Sequence, residues 1–167
     1  MKHFPIRAMT RCAFFAALMA VCAWTGIPLG HTVFTLQTLG VFLTLGLLGG
    51  KWGTAAILCY LLLGAAGVPV FSGFRGGPAA LLGPTGGYLW GFLCTGLCCR
   101  AVEKFGTLPA MVLGQLVCYG CGTVWYMVCT GAGGVTVLLQ TVAPYLIPDA
   151  AKLALALYLT KKLKKHI

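Results

Sequence analysis

The sequence predicts an all-α integral membrane protein, a bundle of six transmembrane helices with both termini cytoplasmic. Three observations carry this. Hydrophobic residues make up 59% of the 167-residue chain and charged residues 8%, against roughly 25% charged in a soluble domain, and mean hydropathy is +0.93. The apolar residues fall into six runs broken by Gly, Pro or charge. A span needs about 20 residues, so one polytopic domain over residues 1–167 fills the chain. Basic residues gather at alternate breaks, as the bias toward cytoplasmic loops requires.

The first run, residues 8–25, follows Lys2, Arg7 and Arg11 and ends at Gly26-Ile27-Pro28. A cleaved signal peptide is the alternative for that segment alone; because the remainder is also polytopic, an uncleaved first helix is expected. A short loop, 29–33, leads to the second run, 34–48. Gly49-Gly50-Lys51-Trp52-Gly53 is a turn, and the third run is 54–66. A Gly/Pro-rich stretch, 67–85, precedes the fourth, 86–102. Residues 103–107 form a polar turn, and Pro109 suits the first turn of the fifth helix, 108–129. A loop, 130–147, leads to the sixth, 148–163, with Pro148 at its start. With the N-terminus inside, ten of the twelve Lys and Arg lie at inner ends; Arg75 and Lys152 are the exceptions. This orientation puts the three long loops outside. The third run is short, so the 67–85 stretch is read either as a loop dipping into the bilayer over a cavity or as an exposed connector.

A net charge of +10 invites a nucleic-acid reading. The basic residues sit at termini and turns without the interleaved aromatics of a stacking surface, so no nucleic-acid partner is expected. The partner implied is the lipid bilayer, and Lys161-Lys162-Leu163-Lys164-Lys165 suits anionic headgroups. Nine cysteines lie mostly inside apolar runs as small hydrophobes. Cys118-Tyr119-Gly120-Cys121 is formally a C-x-x-C, but it has no second cluster or βαβ context. No metal or cofactor motif is present, and no Gly-Lys-Ser/Thr phosphate loop. An enzyme is not expected.

Asp149 is one of only two acidic residues, and Lys152 follows it by three, on one helix face. An ionisable pair at the head of an apolar run is costly unless paired or functional, which makes it the leading candidate site. Small residues recur at four-residue spacing: Ala13/Ala17 and Ala16/Ala20 in the first helix, and Gly83, Gly87, Gly91 into the fourth. This spacing allows close helix approach, either within the bundle or against another membrane protein. Self-association as a homo-oligomer is left open.

Four stretches resemble the BioY family, the biotin-binding S components of energy-coupling factor transporters. They are Ile27-Pro28-Leu29-Gly30 with Val33-Phe34-Thr35-Leu36-Gln37-Thr38-Leu39, then residues 60–71, then Leu82-Gly83-Pro84-Thr85-Gly86-Gly87-Tyr88-Leu89-Trp90-Gly91-Phe92, and Pro144-Tyr145-Leu146-Ile147-Pro148-Asp149-Ala150-Ala151-Lys152. The family pattern carries Gly where this chain has Pro148. The resemblance implies biotin as ligand in an outer site closed by the loops after helices one, three and five. It also implies a transmembrane T component and two ATP-hydrolysing subunits as partners, with ATP used only by them, and docking of the T component on Ala13, Ala16, Ala17 and Ala20.

Biotin offers two ureido N–H donors, an accepting carbonyl and a valerate carboxylate. Within the implied site, Asp149 is expected to accept from a ureido N–H and Lys152 to donate to ligand oxygen. Gln37 either binds ligand or bonds between helices. Tyr88 either contacts ligand or belongs to the interfacial aromatic belt. Ser72, Gly73 and Arg75 lie in the cap, Arg75 facing the valerate carboxylate or solvent. Phe34, Phe71 and Trp90 are candidate walls with ordinary packing as the alternative, and His31 reads as an exposed loop residue. The competing functions are an S component for thiamine or riboflavin, an intramembrane redox protein using Cys118 and Cys121, and a structural subunit without ligand.

Overall fold

The computed structural model describes residues 6–29 and 32–165; His31 lies outside the described residues. Helix α1 (Ile6–Trp24) buries Cys12, Phe15, Ala16, Met19, Ala20 and Ala23, a stripe at three- and four-residue steps that packs on α2. Around the expected loop 29–33, β1 (Ile27–Leu29) pairs antiparallel with β2 (Thr32–Phe34), Ile27 opposite Phe34. The Thr25 hydroxyl closes the base of the pair, donating to Cys22 O at 2.7 Å and accepting from Leu36 N–H at 3.3 Å.

Helix α2 (Gln37–Ala65) contains a break at Gly49, where φ is 75° and ψ is 172°. That conformation is essentially restricted to glycine. It folds the chain back on itself: a Cβ on Gly53 would lie 3.0 Å from Leu45 Cα, whereas eight residues of straight helix span about 12 Å. The two limbs correspond to the expected second and third runs.

The segment from 66 to 77 turns over the end of the bundle. Phe71 N–H donates to Arg75 O at 2.9 Å and Gly77 N–H to Gly64 O at 2.7 Å. The Phe71 ring sits directly on Gly64, where any Cβ would collide with it. A short helix follows, α3 (Pro78–Leu82). Helix α4 (Gly86–Val102) has the bounds expected from sequence. It packs closely on α5 (Thr107–Thr130) because Gly87 meets Trp125 and Gly91 meets Cys118. That part of the glycine stripe is thus used inside the bundle. A 3-10 turn, Glu103–Phe105, joins α4 to α5, and the Glu103 carboxylate accepts the Gly50 N–H at 2.9 Å.

The expected loop 130–147 is largely helical. Helix α6 (Gly134–Thr141) buries Val137 and Thr141, and α7 (Ala143–Leu163) follows at a 44° bend. Pro148 therefore lies inside α7 instead of starting it. Pro144 takes the first-turn place that proline favours. Among the described residues, three helices (α1, α2, α5) are long and apolar enough to cross a membrane, or four if α6 and α7 count as one bent span.

Gly50 lies against the backbone of Arg100 with no space for a Cβ, whereas Gly120 in α5 has nothing within 4 Å. Gly50→Ala is expected to lower unfolding stability by about 1–3 kcal/mol through overpacking. Gly120→Ala should be neutral or stabilising by up to about 1 kcal/mol. Thermal unfolding of the two variants in detergent checks both signs.

Candidate ligand site

One face of α7 carries Tyr145, Asp149, Lys152, Ala156 and Thr160, all buried, at the three- and four-residue steps that turn a helix stripe inward. Asp149 and Lys152 are 5% and 6% exposed, and their ion pair is 2.8 Å long. Neither charge has unused hydrogen-bonding capacity. The Lys152 ammonium donates to Asp149 Oδ1, to Thr35 O at 2.7 Å and to Thr38 Oγ1 at 3.0 Å, which accounts for all three of its N–H groups. It also lies 4.1 Å from the centre of the Phe34 ring, a cation–π contact. Asp149 Oδ1 takes a second bond from the Thr38 hydroxyl at 3.0 Å. Oδ2 accepts from Tyr119 at 2.7 Å and Gln115 at 3.1 Å, filling the roughly four acceptor positions of a carboxylate.

The pair borders a cavity of about 470 Å³, within the range of small-molecule sites. The segment after α2 contributes Phe71, Ser72 and Arg75 to its wall, α4 contributes Tyr88, Leu89 and Phe92, and α5 contributes Gln115, Cys118, Tyr119 and Tyr126. A lid over the cavity, not an exposed connector, is therefore the form the 67–85 stretch takes. Gln37 lines the cavity, and its Nε2 donates to the Tyr60 hydroxyl at 2.7 Å, which donates to Val70 O at 3.0 Å. Tyr88 lines the wall, and its hydroxyl donates to Thr141 at 2.7 Å; this places it inside the bundle, not in an aromatic belt. Arg75 lines the cavity, and its Nε donates to Ser72 O at 3.2 Å.

Several expected residues are placed elsewhere. Trp90 is 40% exposed and does not line the cavity; two residues from both Tyr88 and Phe92, it points about 200° away from them on α4. Phe34 is beneath Lys152 and stacked on Tyr145 at 6.4 Å, supporting the pair without being a wall. Gly73 makes the lid's turn at φ 69° and is not a wall residue. Ala16 and Ala20 are 3% and 5% exposed and pack within the bundle, so of the four alanines only Ala13 and Ala17 face outward. All nine cysteines are free thiols, and Cys118 lies in the cavity wall.

Thr35, Thr38, Gln115, Tyr119 and Tyr145 complete the site and were not anticipated. Gln115 carried a usable signal: an amide within an otherwise apolar run demands a partner, and Tyr119, four residues on, shares its face.

A lidded cavity bordered by a buried ion pair, inside an apolar helix bundle, defines the class: a membrane-embedded protein that binds a small molecule. The whole chain, residues 1–167, matches the family model described as BioY family, and the chain belongs to that family. It is 45% identical over 122 residues to the biotin transporter BioY of Thermotoga maritima, covering 70% of this chain and 72% of that protein. With the probable biotin transporter BioY of Pyrococcus horikoshii it shares 38% over 153 residues, 91% and 93% of the two chains. The crystal structure of the S-component for biotin from an ECF-type ABC transporter superposes with a TM-score of 0.87 at 29% identity, covering 96% of this chain and 92% of that one.

A single substitution in the pair strands a buried charge, a loss of about 3–5 kcal/mol. Lys152→Met is expected to unfold at a markedly lower temperature than the wild type. The double variant Asp149→Leu with Lys152→Met should recover much of that stability, because no unpaired charge remains. Thermal unfolding of the single and double variants measures the difference.

Proposed function

We propose that this chain is the biotin-binding S component of an energy-coupling factor transporter. It captures biotin from outside the cell and delivers it inward when coupled to a transmembrane T component and ATP-hydrolysing subunits. Membership of the BioY family along the full chain is the observation that carries this reading. The chain is a binding subunit, not an enzyme.

In this reading the two limbs of α2 each cross the bilayer, as do α1, α4, α5 and α7, giving six spans. The grouping of ten of twelve basic residues at one set of ends supports cytoplasmic termini, with the lid on the outer side. Ala13 and Ala17, outward-facing at four-residue spacing, support docking of the T component there. Biotin's ureido ring lies against Asp149 and Lys152. Because both charges are saturated, a ureido N–H reaches Asp149 only in exchange for a present donor. Gln115, neutral and at 3.1 Å, is the least costly to release. At the lid end, Arg75 takes the valerate carboxylate, and Phe71, Tyr88 and Phe92 cover the ring and chain.

Calorimetric titration of detergent-purified protein with biotin, thiamine and riboflavin tests the assignment. Saturable binding of biotin near one per chain is expected, with no binding of the other two and no loss when Cys121 is replaced by Ala, which breaks the Cys118/Cys121 pair without touching the cavity wall. Binding of a control vitamin, or none of biotin by folded protein, would contradict it.

A further inference from the structure

The 69–75 segment of the lid is held by two sets of side-chain contacts. On its inner side, Tyr60 holds Val70 O and Gly64 receives the Phe71 ring. The other fastening comes from α1, which makes no contribution to the cavity wall. Trp24, the last residue of α1, donates its indole N–H to Pro69 O at 2.8 Å, and its ring stacks on Phe74 at 5.1 Å and 24°. These contacts bracket Phe71 and Ser72, which face the cavity, and adjoin Arg75, which also does. Phe74 has φ 56° and is the one non-glycine residue with positive φ among those described. Such a conformation persists only where surrounding contacts enforce it, and the Trp24 stack is a contact that does so. Trp24 is 40% and Phe74 64% exposed, so the pair sits at the rim, where it can part without opening the core.

We infer that Trp24 is a positioning residue for ligand retention: it latches the 69–75 segment over the cavity, and its release lets ligand leave. The inference rests on the reading that biotin occupies the cavity. Two measurements separate them. Hydrogen exchange of ligand-free protein, followed by mass spectrometry, should show faster exchange across residues 69–77 in Trp24→Ala than in wild type. Dissociation of radiolabelled biotin into excess unlabelled biotin should be about tenfold faster in Trp24→Ala, the ratio for losing one hydrogen bond and one aromatic pair. Trp24→Phe, which keeps a ring to stack, should restore part of that retention. Phe74→Ala combined with Trp24→Ala should be little faster than Trp24→Ala alone, since both remove one contact. Unchanged exchange in Trp24→Ala, or faster exchange with unchanged biotin dissociation, would overturn the latch. Failure of wild-type protein to bind biotin would overturn the ligand reading, while the exchange measurement would still decide whether Trp24 holds the lid.

Discussion

The lid end of this molecule depends on a buried ion pair whose hydrogen bonds are all accounted for. Asp149 and Lys152 come from α7, their partner Thr38 from the first turn of α2 and Thr35 from just before it, and Gln115 and Tyr119 from α5. Burying an ion costs several kcal/mol, and mutual attraction offsets this only when geometry and additional hydrogen bonds are good. Here the same bonds that make burial tolerable also tie three helices together. A satisfied pair is a poor reservoir of stability but a well-defined surface: every donor and acceptor around the carboxylate points in a set direction before ligand arrives. Such preorganisation reduces the ordering cost of binding, against which stands the release of the Gln115 donor.

The lid is connected to that surface by a hydrogen-bond relay. Gln37 lies one residue from Thr38, and its amide reaches Tyr60, which in turn holds the lid backbone at Val70. Close packing makes the relay feasible. Phe71 rests on a glycine, Gly64, and the break at Gly49 returns α2 so that Tyr60 stands beside Gln37. Without a reversal, 23 residues of helix would separate those two side chains by about 35 Å. The fold thus places the lid and the charged pair within one connected network, and Trp24 ties the end of α1 to the lid.

Sequence reasoning recovered what chemistry makes rare or costly in a membrane. Two acidic residues in 167 drew attention to Asp149, and the Gly49–Gly53 cluster marked the reversal in α2. The bounds of α4 were legible because glycine and proline precede it and charge follows it. Facing was not legible. When both lipid and core are apolar, hydrophobic periodicity no longer says which side of a helix points inward. Trp90 read as a wall but faces outward, and Ala16 and Ala20 read as a docking surface but pack inside, for that one reason. The same ambiguity hid Gln115 and Tyr119. The strand pair escaped because its strands are three residues each, too short to show alternation. Helix α7 began earlier than expected because two prolines, Pro144 and Pro148, both suit a helix start, and only packing chooses between them.

The central claim is that the charge on Asp149 engages the ligand's head group, and Asp149→Asn tests it most directly. Asparagine preserves size and one acceptor oxygen, for Lys152 and Thr38, while removing the charge and the second acceptor. Calorimetric titration of folded Asp149→Asn protein with biotin is predicted to show affinity reduced by about 1 kcal/mol or more, roughly fivefold, as a charge-assisted hydrogen bond becomes a neutral one. Wild-type affinity in that variant would contradict the account, reducing the pair to an internal brace for α7.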